Sequence, residues 1–243
     1  RSGMHRERNI TEGVIWKQIL IFFFPILLGT FFQQMYNTVD TIIVGRFVGT
    51  QALASVGSTG ALISLLNGFF IGLSSGATVL VSQFFGANDR EGVRNALHTG
   101  IGLSLMLGLL ISFLGLCFGP QILQLMKTPT DCLDGAVIYA RIFFSGAIAS
   151  MVYNMGSGIL RAMGDSRRPT LFLIVTCFSN ILLDLFFVIV LDMGIAGVAI
   201  ATVLSQAVGA VWVLLFLTRS KKTLLRIQRK HMRLEGRVIG PCL

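Results

Sequence analysis

Six long apolar runs, separated by short polar stretches, dominate the pattern along the chain. They lie at about Val14–Tyr36, Leu53–Phe84, Ala96–Phe118, Ala136–Leu160, Pro169–Leu191 and Ala196–Leu217. A helix needs about 20 mostly apolar residues to cross about 30 Å of hydrocarbon, and each run reaches that length. The pattern predicts an all-α membrane protein with six transmembrane helices. The second run is long enough to tilt or to project beyond the bilayer. No low-complexity linker and no soluble domain interrupts the series.

Composition agrees with lipid as the main solvent. Of 243 residues, 53% are hydrophobic and only 13% charged, about half the charged share of a soluble domain. The net charge of +9 invites a nucleic-acid reading, but the position of the charges removes it. Arg1, Arg6, Arg8, Lys17, the pair Arg90/Arg94, the trio Arg161/Arg167/Arg168 and the run from Arg219 to Arg237 all fall on one side of the predicted spans. Only Arg46, Lys127 and Arg141 fall on the other. By the positive-inside rule both termini are cytoplasmic. The charge is thus a signal of topology in a bacterial-type inner membrane, with no nucleic acid as partner.

The four cysteines, Cys117, Cys132, Cys177 and Cys242, lack metal or disulfide spacing. Enzyme signatures such as G-x-S-x-G, a phosphate-binding loop or H-E-x-x-H are missing, which argues against an enzyme and against a bound cofactor. Gly68, Gly72 and Gly76 recur every four residues and predict close helix packing along the second span. Gly45/Gly49 and Gly115/Gly119 repeat the spacing near two span ends.

Ionisable residues within a membrane segment are costly, and by default they mark a pathway or a coupling site. Asp40 comes late in the first apolar stretch, and Asp184 sits among apolar residues in the fifth span. Asn180, four residues before Asp184, shares its helical face. Thr202 and Gln206 share a face of span six, which a tight turn makes the antiparallel neighbour of span five. These oxygen donors suit a small hard cation or a proton relay. Burial favours the neutral form of a carboxyl, so loading a proton or a cation changes the local charge and the preferred packing. Pro25, fifteen residues before Asp40, predicts a kink in the first span. The sharper expectation is a helix that bends according to the charge state of Asp40.

Polar residues on the other spans outline a possible cavity. Gln33, Gln34 and Asn37 lie in span one, Asn67 in span two, and Tyr139, Tyr153 and Asn154 in span four, near Met35, Met151 and Met155. Of these, Gln34, Asn37, Met151, Asn154 and Met155 are the candidate cavity residues. An apolar lining with a few polar anchors suits amphipathic organic cations. Each residue is equally compatible with plain helix packing.

These stretches together resemble the MATE (multidrug and toxic compound extrusion) transporters, and within them the DinF-like branch. The resemblance rests on Pro25 with Tyr36-Asn-Thr-Val-Asp40-Thr-Ile-Ile-Val-Gly45, on Ala52-Leu-Ala-Ser-Val-Gly57 and Gln83-Phe-Phe-Gly86-Ala87, and on Tyr139-Ala-Arg141-Ile. It continues through Leu160-Arg-Ala-Met-Gly-Asp-Ser-Arg-Arg-Pro169, Asn180-Ile-Leu-Leu-Asp184 and Gly194-Ile-Ala-Gly-Val-Ala-Ile-Ala-Thr202. It implies twelve helices in two six-helix lobes, with alternating access and export of amphipathic, often cationic drugs in exchange for protons or sodium. It also implies an ion-coupling cluster of Asp40, Asp184, Asn180, Thr202 and Tyr139, with Na+ held at Asp40, Asn180, Asp184 and Thr202 if sodium is the ion. Pro25 matches the proline whose bending accompanies protonation.

On this reading residues 1–13 form a cytoplasmic segment, with 1–3 an added leader. Residues 14–217 form the N-terminal six-helix lobe, and residues 218–243 a basic cytoplasmic tail or a truncated inter-lobe linker. The missing C-terminal lobe, or a second copy, would be the partner alongside lipid. Two rival readings stand beside it: a non-transporting membrane protein or scaffold, and a flippase for lipid-linked precursors. The second is disfavoured because the spans offer only Arg141 to a pyrophosphate.

Overall fold

The computed structural model describes residues 15–219. The predicted leader and cytoplasmic segment, 1–13, and nearly all of the basic tail lie outside the described residues. The described chain is helical: α1 (Ile15–Ile43), α2 (Thr50–Gly86), α3 (Arg90–Leu125), α4 (Thr130–Ser145), α5 (Ala147–Ala162), α6 (Arg167–Leu185) and α7 (Gly194–Arg219). Two π-helical turns, Val44–Val48 and Phe186–Val190, extend α1 and α6.

Five of these helices are long and apolar enough to cross a membrane, and α4 with α5, bent by 49°, brings the number to six when the pair is counted as one span. Two expectations change. The first span does not stop near Tyr36; α1 and its π turn carry it on to Val48, so Asp40 lies within the helix. The fourth span is not one straight helix but breaks at Gly146. A Cβ there would sit 2.7 Å from the Val203 side chain, so glycine lets α7 press against the break.

Connections are short and locally satisfied. Asp89 caps α3 by accepting from the Gly92 amide at 2.9 Å, which occupies one of the free N–H groups at a helix start. Gly49 joins the first π turn to α2 at φ +122°, a conformation that side-chain-bearing residues rarely adopt.

Inside, α5 packs against α2, α3 and α7, while α6 lies between α1 and α7. The main core joins Phe70, Val81, Leu97, Ile101, Met151, Met155, Ile159 and Val213. Apolar side chains also face outward, among them Phe24, Phe31, Leu65, Phe113 and Leu182. A water-exposed surface would not carry that much contiguous apolar area, whereas hydrocarbon accepts it without cost.

Close helix contact arises at other glycines than Gly68 and Gly72 of the predicted repeat. Gly68 and Gly72 face outward, and a Cβ on either would meet nothing within 4 Å. A Cβ on Gly108 would instead lie 2.7 Å from the Ile148 backbone, and one on Gly115 would overlap the Phe144 ring. Of the Gly115/Gly119 pair, both buried, only the first needs to lack a Cβ, since one on Gly119 would meet nothing within 4 Å.

The ends of the bundle separate by charge. Ser82 donates to the Ala162 carbonyl at 3.5 Å, bringing the α2–α3 and α5–α6 connections, with Arg90, Arg94, Arg161, Arg167 and Arg168, to one end. Gln51 donates to the Asp131 carbonyl at 2.6 Å at the opposite end, with Arg46 and Lys127.

Candidate functional site

Asp40 on α1 and Asp184 on α6 stand in the half of the bundle away from the basic loops. Seventeen residues of helix separate Asp184 from Arg167, about 25 Å at 1.5 Å per residue. Both acids lie just ahead of a π turn, at Val44 and at Phe186, a distortion that recurs at functional positions. The two turns contact each other and α7, which draws the acid-bearing segments of α1 and α6 together.

The two carboxyl groups are close neighbours. Asp184 is 0% exposed. Neither of its oxygens, nor Oδ1 of Asp40, finds an N–H or hydroxyl donor among the described residues. Each carboxyl thus has the other as its polar neighbour. Two anionic carboxylates in contact repel strongly in an apolar interior; a shared proton or a bound cation relieves the repulsion.

Asn180, one turn from Asp184, is 1% exposed. Its Nδ2 donates to Thr202 Oγ1 at 3.4 Å and to Ser205 Oγ at 3.5 Å on α7, while its Oδ1 stays unpaired. Thr202 and Ser205 send their own hydroxyl protons to the α7 carbonyls of Val198 and Thr202. Their oxygens are therefore held as acceptors. Tyr139 on α4 packs with Ile43, Val44, Val188 and Val198 in a small apolar cluster at this level. The structure thus brings Asp40, Asp184, Asn180 and Thr202 into one neighbourhood, with Tyr139 in the adjoining apolar cluster. Two carboxylates, an amide oxygen and a hydroxyl are hard oxygen donors of the kind that hold a small hard cation.

A cavity of about 210 Å³ opens one turn toward the basic end, sharing Thr202 with the carboxyl site. Its polar wall includes Gln33, Asn67, Tyr153, Asn154, Arg161 and Gln206; Ile26, Ile71, Phe143 and Leu173 supply the apolar wall. Of the five expected cavity residues only Asn154 lines it. Met151 and Met155 are each 2% exposed and belong to the main core, because α5 turns that face toward α2 and α3. Gln34 and Asn37 face outward on α1, away from the cavity.

Arg161 was readable only as a topology charge, yet it reaches the cavity. The hint was a polar stripe on an otherwise apolar helix, in which Ser150, Tyr153, Asn154, Ser157 and Arg161 recur at three- and four-residue spacing. Thr170 is a second residue that sequence alone did not single out. Its hydroxyl reaches the Pro25 carbonyl at 2.9 Å and ties α6 to the proline-bearing turn of α1.

The chain is similar to multidrug resistance proteins over nearly all of its length. It is 30% identical to the probable multidrug resistance protein YpnP of Bacillus subtilis (strain 168), over 91% of this chain and 50% of that protein. It is 31% identical to the probable multidrug resistance protein YoeA of the same organism, over 93% of this chain and 50% of that protein. Its fold superposes with a TM-score of 0.87, at 28% identity, on a solved multidrug resistance MATE family transporter of the MOP superfamily in an outward-facing conformation. That match covers 93% of this chain and 50% of the transporter. The chain therefore spans about half the length of the curated relatives it matches, the extent of an N-terminal half. The MatE family profile matches residues 25–186, from the proline of α1 through the acid of α6, and the chain accordingly belongs to the MatE family.

Proposed function

We propose that this chain is the N-terminal lobe of a cation-coupled antiporter that exports amphipathic, often cationic compounds by alternating access. The observation that carries the reading is the contact between Asp40 and Asp184, with no protein donor at three of their four oxygens. A buried acid pair must be relieved of charge, either by a proton or by Na+ among Asp40, Asp184, Asn180 and Thr202. The ligand binds the packing that presents these donors together, so its arrival and departure bias α1 and α6 between two arrangements. The multidrug names of the relatives support the cargo class.

The pair is well placed to act on α1. That helix packs chiefly on α6, and Pro25 removes one of its internal hydrogen bonds. A change of charge at Asp40 therefore acts on a lightly held helix with a built-in weak point. Placing the basic loops in the cytoplasm puts the acid pair in the outer half of an inner membrane, where an ion gradient is felt.

The test is gradient-driven drug efflux from proteoliposomes containing a two-lobe protein that carries this sequence. Asp40→Asn and Asp184→Asn are each expected to abolish coupled efflux while leaving the protein folded. Undiminished efflux in both variants overturns the assignment. Varying sodium and pH separately identifies the ion.

A further inference from the structure

The cavity beside the carboxyl site has the wrong charge for a simple organic cation. Among the described residues that line it none is an aspartate or glutamate, and Arg161 is the one charged side chain. The ion pair among the described residues joins Arg168 to Asp165 and leaves Arg161 without a carboxylate. Arg161 is half-buried and makes no side-chain hydrogen bond among the described residues; the Tyr153 phenol lies in the same wall. Gln206 presents a buried, unpaired Oε1 on the same lining. Asn154 donates its amide to the Ser150 carbonyl at 2.8 Å, which fixes the rotamer it offers to the cavity.

We propose that this cavity binds the carboxylate of an amphiphilic organic acid, with Arg161 as its counter-ion. The guanidinium presents a planar fork of donors that matches a carboxylate in two parallel hydrogen bonds. Among the described residues no carboxylate pairs with this partly desolvated charge, and a single ligand carboxylate neutralises it. A phosphate, carrying −1.5 to −2, would leave excess negative charge where no second cation lines the wall. Tyr153 supplies a hydroxyl to the second edge of the acid. The ligand's organic body lies against Ile26, Ile71, Phe143 and Leu173. The volume, about 210 Å³, admits one or two aromatic rings and is smaller than a drug-sized site.

The inference deepens the proposed function by naming a cargo class, but its test is binding to this chain and needs no transport. The full 243-residue chain in detergent micelles is titrated calorimetrically with 1-naphthoate and with methyl 1-naphthoate, a pair of equal shape that differs in charge. The acid is expected to bind at least about tenfold more tightly, a ratio in keeping with a charged hydrogen-bonded pair. Raising chloride from 20 to 500 mM is expected to weaken the acid alone, through screening. Arg161→Gln should erase the preference and Arg161→Lys should keep part of it, while Asn154→Leu, which fills the cavity, should weaken both probes alike. Circular dichroism confirms that each variant is folded; should Arg161→Gln fail to fold, the Arg161→Lys and Asn154→Leu results decide. Equal affinity for acid and ester, an acid preference that survives Arg161→Gln, or tighter binding of inorganic phosphate than of naphthoate overturns the proposal. Loss of efflux in the acid-pair variants leaves this result unchanged, so the two readings fail separately.

Discussion

Thr170 on α6 donates its hydroxyl to the carbonyl of Pro25 on α1 at 2.9 Å, and the same oxygen lies 2.8 Å from the Ser166 carbonyl of its own helix. A hydroxyl has one proton, so the two acceptors share or alternate it. When α1 moves away, Thr170 keeps an intrahelical acceptor and no buried donor is stranded. The tether is therefore cheap to break, a property that suits a joint beside a proline. Gly29, one turn further on, approaches Leu173 so closely that a Cβ would lie 3.1 Å from its methyl group, which adds shape to the same contact.

Thr170→Val keeps the side-chain volume and removes the donor. It is expected to destabilise the chain by about 0.5–1.5 kcal/mol, the net worth of one hydrogen bond. It should also widen the α1–α6 distance distribution read by spin labels at Phe24 and Leu171, which both face outward. An unaltered melting curve together with an unaltered distance distribution would refute the tether.

The Asp40–Asp184 pair predicts a ligand-dependent stability. An ion that binds the folded state alone raises the unfolding free energy by RT ln(1 + [L]/Kd), about 2.7 kcal/mol at a hundred times Kd. If Na+ is the ligand, sodium chloride should raise the melting temperature of the chain above its value in choline chloride at equal ionic strength. Asp184→Asn should erase the difference without lowering the baseline, because the amide donates to Asp40 and no second charge needs relief. A sodium response that persists in Asp184→Asn would move the ion elsewhere.

The glycines divide into two groups with opposite expected behaviour. Gly108→Ala forces a methyl toward the Ile148 backbone, which cannot rotate aside, and should cost about 1–3 kcal/mol. Gly68→Ala and Gly72→Ala place a methyl in open space on a helix surface and should be neutral or stabilise slightly, since alanine is the better helix former. Thermal unfolding of the three variants in the same micelle decides the matter; equal losses would contradict the packing described.

Core and outward-facing residues should separate in the same way. Met155→Ala removes a side chain that is 2% exposed within the main core and is expected to lose about 2–5 kcal/mol. Gln34→Ala, on the outward face of α1, should change stability by less than about 0.5 kcal/mol. Comparable losses at the two positions would place Gln34 in a contact that the fold does not contain.

Chain order alone determined the membrane class, the existence of six spans and the two acids within them. Those features depend on local physics: a 20-residue apolar run has to be helical in hydrocarbon, and a carboxyl inside it is conspicuous in one dimension. The side-by-side placement of Asn180 and Asp184 followed equally from the 3.6-residue period. Only the tertiary structure decided what each helix face meets. It turned Met151 and Met155 into the core while leaving Asn154 on the cavity, all on one helix, because different faces of α5 meet different neighbours. The outward face of Gly68 and Gly72, the break of the fourth span at Gly146, and the approach of Thr170 to Pro25 across 145 residues are likewise long-range. Arg161 shows the reason most directly. As a residue in the chain it is one of many basic charges near a loop, and only the packing of five helices around it turns that charge inward onto a cavity.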